Sequence, residues 1–323
     1  MPRLRKAIFN NGVYFLTLSA ESGIVLPANP LTKFIVGAAM LRAVKHHPIT
    51  ISHYIVNGTH IHMIVRVYNP EDVPGFMERF KTESAHYINR VLGRTQHTVW
   101  CGSYDSPRLL TISDVVDKIV YTYTNPVKDG LISSIVRYLG MSSWGSFNSP
   151  KSHLRAQLVN RDQIFAVDQG LGEAGFQRKA RMLGKVASKP RVLPIDCNDW
   201  LKAFGIEDKK EVNSINNNIR ELISEREDRI QKEFIDDGRQ FMGARVLRNQ
   251  GIILNYLPKR RGRKMWCISS DIKYRKVYLK FVKRLSEEAR EIYLKWRMGA
   301  TDLAMPAGMF PPRMPLQANL VFE

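Results

Sequence analysis

The chain has 323 residues, 44% hydrophobic and 24% charged, ordinary proportions for a folded protein with room for about two domains of roughly 150 residues. No stretch reaches the ~18 consecutive apolar residues of a membrane span, and three scattered cysteines (Cys101, Cys197, Cys267) exclude both a disulfide framework and a Cys-type zinc site. The formal net charge of +19 points to a polyanionic partner, with nucleic acid ahead of a membrane surface; charge serving solubility alone is the plainer alternative. Residues 1–150 carry 15 Lys and Arg against 9 Asp and Glu (net +6), and residues 151–323 carry 34 against 21 (net +13), so the second half is expected to grip the polyanion. The basic start Met1–Lys6 precedes an apolar run too short for a signal peptide, and the expected location is cytoplasmic, associated with the nucleoid.

In chain order, Val13–Leu18 is rich in β-formers and predicts a first strand. Residues 31–47 keep helical spacing through Leu31, Phe34, Ile35, Ala38 and Leu41, and Pro48 ends them. Residues 49–56 and 60–67 predict two strands joined by a tight turn at Asn57-Gly58. Pro74 to Leu92 reads as a helix, Val99 to Tyr104 as a short strand or loop. Ser113-Asp114 then caps a helix through Val115, Ile119 and Tyr123 that Pro126 limits. This order predicts an α+β fold, helices over an antiparallel sheet. We divide the chain into a domain at 1–150, a linker at 151–195 rich in Gly, Lys, Arg and Pro, and a basic, mostly helical domain at 196–323. That last domain has long helices near 213–241 and 274–298 and an irregular, proline-containing tail.

The chemistry concentrates in two short blocks. His60-Ile61-His62 lies on a predicted strand, and a period of two puts both imidazoles on one face while Ile61, Met63 and Val65 fill the core behind. Two imidazoles so placed can converge on a divalent ion, without choosing among Mg²⁺, Mn²⁺ and Zn²⁺; two partly buried structural histidines are the alternative. Tyr121 precedes Asn125 by one helical turn, so a phenol and an amide share a helix face as candidate nucleophile and third metal ligand. A tyrosine on an apolar helix is more often core. An unperturbed phenol has a pKa of about 10, so ionising it at pH 7 costs about 4 kcal/mol and needs nearby positive charge, which Lys128 offers. Together the blocks suggest metal-assisted attack of tyrosine on a phosphodiester.

Those blocks resemble the single-tyrosine HUH transposases, and within them the REP-associated (IS200-like) tyrosine transposases. His60-Ile61-His62 matches the HUH motif, and Tyr121 through Asn125-Pro126-Val127-Lys128 to Gly130-Leu131 matches a Tyr-x-x-x-Asn-Pro-Val-basic-x-Gly-Leu block. Trp100 and Tyr104-Asp105 lie between the two blocks and Ser142-Ser143 after them, and the match covers roughly residues 8–147. Two positions differ from many relatives: Gly58-Thr59 replaces Pro-Asn before the first His, and Asp129 replaces a small residue. The resemblance implies a ferredoxin-like fold, a substrate of single-stranded or hairpin DNA, and Mg²⁺ or Mn²⁺ on His60 and His62 with Asn125 as third ligand. It makes Tyr121 a nucleophile that forms a 5′-phosphotyrosine link and leaves a free 3′-OH, with Tyr123 a bystander. Relatives include monomers and dimers that exchange helices, so a homodimer is open.

Beyond the resemblance lies the run Lys259-Arg260-Arg261-Gly262-Arg263-Lys264, followed by Trp266, Tyr274 and Tyr278. Basic and aromatic residues so mixed suit phosphates and stacked bases, with a solvated charged loop as the alternative. The leading reading is thus a transposase that nicks and rejoins single-stranded DNA near hairpins, its second half adding DNA affinity. A non-catalytic hairpin-binding regulator of the same fold, and a hydrolytic metal phosphodiesterase, are the competing readings.

Overall fold

In the computed structural model, which describes residues 6–149, 153–253, 264–300 and 302–311, the alternating apolar runs become one central sheet. Strand β1 (Lys6–Ala7) lies outside it, and β2 (Val13–Ser19) is its middle strand. Helix α1 (Pro30–His46) starts at Asn29, whose side chain accepts the Thr32 N–H, with Pro30 at a first helical position that needs no donor. Strands β3 (Thr50–Asn57) and β4 (His60–Arg66) form the hairpin, with Asn57 paired to His60. The loop is therefore Gly58-Thr59 rather than Asn57-Gly58, and Gly58 takes the left-handed φ of +54° that the turn requires. Helix α2 (Asp72–Val91) follows, then short β5 (Arg108–Leu109).

Helix α3 (Ile112–Lys128) is capped two residues earlier than predicted: Thr111, not Ser113, accepts the Asp114 N–H, and the Asp114 carboxylate accepts the Thr111 N–H in return. It also continues two residues past Pro126. A proline so close to the helix end removes one donor only, and Thr122 and Thr124 bond back to the Lys118 and Val120 carbonyls.

The later elements are α4 (Trp144–Asn148), β6 (Arg155–Ala156), α5 (Gly172–Val186), β7 (Arg191–Val192), α6 (Lys209–Asp236), α7 (Ala244–Asn249), β8 (Cys267–Ile268), α8 (Ile272–Arg297) and β9 (Met309–Phe310). The sheet runs β3-β4-β2-β5-β8, antiparallel throughout except for the parallel β5–β8 pair. Helices α1 and α2 cover one face through Tyr14, Leu16, Ile61, Met63 and Val65; α3 covers the other through Phe15, Ile55, Ile64, Val115 and Ile119. The fold is α+β, as the element order predicts. No helix among the described residues is long and apolar enough to cross a membrane.

Two expectations for the second half need correction. Residues 151–195 are not a bare linker: β6 pairs with β7, and α5 buries Phe176 and Leu183 against the α1 side of the sheet. Only a narrow stripe of α5 is buried, so its basic, glycine-containing sequence looks like a linker. Arg161, in the same segment, ion-pairs at 2.7 Å with buried Glu83, which also holds Arg79 at 3.0 Å and Arg42 at 3.5 Å. The tail is not wholly irregular either. Met305 and Met309 are buried with Trp296, and β9 pairs with β1; residues 312–323 lie outside the described ones.

Residues 196–223 finish the α3-side core. Trp200 and Leu201, in a short 3-10 helix (Asp199–Phe204), and Ile219 and Ile223 of α6 sit in one cluster with Val115 and Ile119. Truncating fully buried Trp200 to Ala is expected to cost about 3–5 kcal/mol and to move the unfolding of the whole sheet as one transition. Denaturant melts followed by circular dichroism and by tryptophan fluorescence check this; two separated transitions would contradict a shared core.

Candidate active site

Strand register builds the first wall of the site. On β4, His60 stands opposite Ser19 and Asn57, and His62 opposite Thr17 and Ile55. Both imidazoles therefore face α3, with ring centroids 4.6 Å apart, while Ile61 and Met63 enter the opposite core. Phe15 stacks on His62 at 4.9 Å and buttresses it from below.

Helix α3 builds the second wall. Lys118, Tyr121, Asn125 and Lys128 lie three or four residues apart and so share the face turned to the histidines. The Tyr121 ring centre is 5.4 Å from that of His62, and the Asn125 amide is 2.6 Å from His60 Nε2. At the helix end, Asp129 accepts the Asn57 side-chain N–H at 2.6 Å and ties the helix to the hairpin tip. The walls enclose a cleft of about 1070 Å³ containing His60, His62, Tyr121 and Lys128.

Of the three nearby tyrosines, two are occupied. Tyr123 is buried, its hydroxyl bonded to His53 Nδ1 at 2.8 Å and to Ser143 at 2.9 Å, and the Tyr138 hydroxyl donates to the Val56 carbonyl. Tyr121 is half-buried and lines the cleft. Three cations surround its ring: Lys118 at 5.1 Å, Lys128 at 5.7 Å and Arg226 of α6 at 5.8 Å from the centroid. Burial raises the Tyr121 pKa above the usual phenol value, the Asp129 carboxylate adds to this, and Arg226 opposes it. The phenol is protonated at neutral pH.

Both imidazoles are neutral there. Burial lowers the His60 pKa, with Asp129 opposing and Lys128 reinforcing; His62 is driven well below the usual value by burial, then by His60 and Lys118. Thr17 Oγ1 holds His62 Nδ1 at 3.0 Å, and Thr59 Oγ1 lies 3.2 Å from His60 Nδ1. With Nδ1 engaged, His62 Nε2 is buried without a partner. A hydroxyl fixing one ring nitrogen while the other stays free is the arrangement of a metal-ligating histidine. Rotating the Asn125 amide by 180° places its oxygen beside His60 Nε2. Among the described residues no three His, Cys, Asp or Glu side chains gather at one point; the groups here that could hold an ion are the His60 and His62 imidazoles and the Asn125 amide.

Of the basic run, Lys259, Arg260, Arg261 and Arg263 lie outside the described residues. Lys264 pairs with Asp105 at 3.1 Å, and Asp105 is on the cleft wall. The other residues on which the resemblance rests hold the frame: Trp100 Nε1 donates to Ser84 at 2.9 Å, Asp105 exchanges backbone bonds with Thr17, and Ser143 bonds the Tyr54 backbone. The sequence reading missed Thr17, Asn57, Lys118 and Arg226. Lys118 could have been found one turn before Tyr121, and Thr17 and Asn57 from cross-strand pairing; Arg226 leaves no local signal.

Residues 32–125 match the family model described as "Transposase IS200 like", a span that holds both histidines, Tyr121 and Asn125. Among solved structures, a REP-associated tyrosine transposase bound to a REP hairpin is similar at 17% identity and a TM-score of 0.40, over 46% of this chain and 86% of that one. No curated protein matches the chain. Residues 32–125 are thus similar to the IS200-like transposases, and within that span the paired histidines and Tyr121 gather on one cleft.

Proposed function

We propose that the protein is a metal-dependent tyrosine transposase of the REP-associated type, which nicks and rejoins single-stranded DNA near hairpins. One observation carries the reading: a tyrosine open to the cleft stands beside two neutral imidazoles, one with a buried, unpartnered Nε2. His60, His62 and Asn125 would hold Mg²⁺ or Mn²⁺, which when bound acts as a Lewis acid on a phosphate oxygen.

The remaining chemistry belongs to the chain. Lys118, Lys128 and Arg226 draw the DNA phosphate to Tyr121, and Arg226 favours its phenolate form. The Tyr121 oxygen bonds to phosphorus as the P–O3′ bond breaks, giving a 5′-phosphotyrosine link and a free 3′-OH. Overall the phenol proton is replaced on the departing 3′ oxygen, so one phosphodiester is exchanged for another and no external energy is needed. Attack by a 3′-OH on the link reverses the step and rejoins DNA. The run Lys259, Arg260, Arg261 and Arg263, and Lys264 once released from Asp105, would add phosphate contacts.

The test uses labelled hairpin oligonucleotides with Mn²⁺ or Mg²⁺ on a denaturing protein gel. Wild type is expected to give a labelled band at protein mass, and Tyr121→Phe to lose band and cleavage by at least about 10³-fold while keeping hairpin binding. Cleavage without a band points to hydrolysis by water, and binding with neither points to a regulator; both contradict the proposal.

A pH dependence follows from the raised Tyr121 pKa. The phenolate fraction grows about tenfold per pH unit below that pKa, so single-turnover cleavage is expected to rise steadily from pH 6 to 9. A rate that is flat or falls across this window would contradict attack by Tyr121.

A further inference from the structure

The cleft extends beyond Tyr121. Its far wall comes from the second half of the chain, with Phe234 at the end of α6 and Arg239 and Gln240 in the turn that follows. This wall is fastened to the Tyr121 helix. The Met242 and Gly243 N–H groups donate to the Gly130 and Leu131 carbonyls at 2.8 and 3.0 Å. Gly130 has φ +73°, and a Cβ there would lie 3.1 Å from the Phe234 ring, so glycine meets both the turn and the close approach.

The chemistry of this end differs from that around Tyr121. Phe234 stacks on Phe241 at 4.5 Å and 6°, and the Arg239 guanidinium lies over the Phe234 ring, 4.0 Å from its centroid. Asp237 pairs with Arg239 at 2.7 Å and neutralises it, so the exposed guanidinium offers a plane more than an unpaired charge. Leu131 and Leu247 make the surroundings apolar, and Gln240 adds an exposed amide. Phosphate calls for unpaired cations, as near Tyr121. A planar cation on an aromatic, with an amide from the neighbouring residue lining the same cleft, suits a nucleobase. The whole cleft, about 1070 Å³, is just above the roughly 300–1,000 Å³ range of small-ligand sites, a size for nucleotides of a single strand.

We propose that this end is a nucleobase subsite in which Arg239 stacks on, and Gln240 reads the edge of, one unpaired base near the phosphate presented to Tyr121. The second half of the chain thereby takes part in choosing the cleavage position. The inference rests on the reading of Tyr121 as the group that attacks DNA.

The experiment follows adduct formation by wild type, Arg239→Ala, Arg239→Lys and Gln240→Ala on hairpin oligonucleotides made abasic at each unpaired position in turn, with melting curves to confirm folding. For wild type, removal of one particular base is expected to slow the adduct about tenfold. Arg239→Ala is expected to show a similar loss on intact DNA, without compounding the loss on that abasic oligonucleotide. Arg239→Lys, which keeps charge but not the plane, should behave like Ala, and Gln240→Ala should flatten the preference among the four bases there. Losses that multiply at every position, or full rescue by Lys, would overturn the subsite while leaving the attack by Tyr121 intact. No adduct with any oligonucleotide would remove both readings.

Discussion

The site depends on the register of β4 between its two neighbours. Because side chains alternate, pairing with β2 and β3 puts His60, His62 and Ile64 toward α3 and Ile61, Met63 and Val65 into the α1–α2 core. A slip of one residue would bury both imidazoles among α1 and α2 and present isoleucine and methionine to the cleft. The apolar side of the strand thus fixes where the polar side points. The same pairing supplies the Thr17 hydroxyl to His62 Nδ1 and the Asn57 amide to Asp129.

The electrostatics of the cleft come from burial acting against surrounding charge. Burial keeps His60 and His62 neutral and Tyr121 protonated, while Lys118, Lys128 and Arg226 make the rim positive. Neutral imidazoles keep a lone pair each, and a phenol ringed by cations is the setting that the proposed attack on a phosphate needs. Asp129, where many relatives of the resembled family have a small residue, works against Tyr121 ionisation. Its visible contribution is mechanical, since it ties the helix end to the hairpin tip.

What was legible in the sequence followed from local periodicity. Alternation around His60 and His62 and the helical spacing of Tyr121 and Asn125 gave the two walls, because each wall is a single regular element. The second half was harder to read for the opposite reason. Helix α5 shows solvent all but a narrow stripe around Phe176 and Leu183, so composition made it a linker. Arg226 reaches the Tyr121 ring and Arg239 the cleft because α6 packs on α3 about a hundred residues away in sequence, a contact that no local spacing encodes. Charge did mark the second half as the basic one; its share in the α3-side core through Trp200, Ile219 and Ile223 is a matter of long-range packing.

The central claim is that Tyr121 is the atom donor in a covalent step on DNA. Its most direct test is mass spectrometry of peptides from protein incubated with a hairpin oligonucleotide and Mn²⁺, after nuclease trimming of the DNA. The account predicts a nucleotide remnant linked through phosphate on the peptide holding Tyr121, with fragment ions placing it on that residue. A remnant on Tyr123, Tyr138 or any other residue, or its absence from protein that has cleaved the DNA, would contradict it.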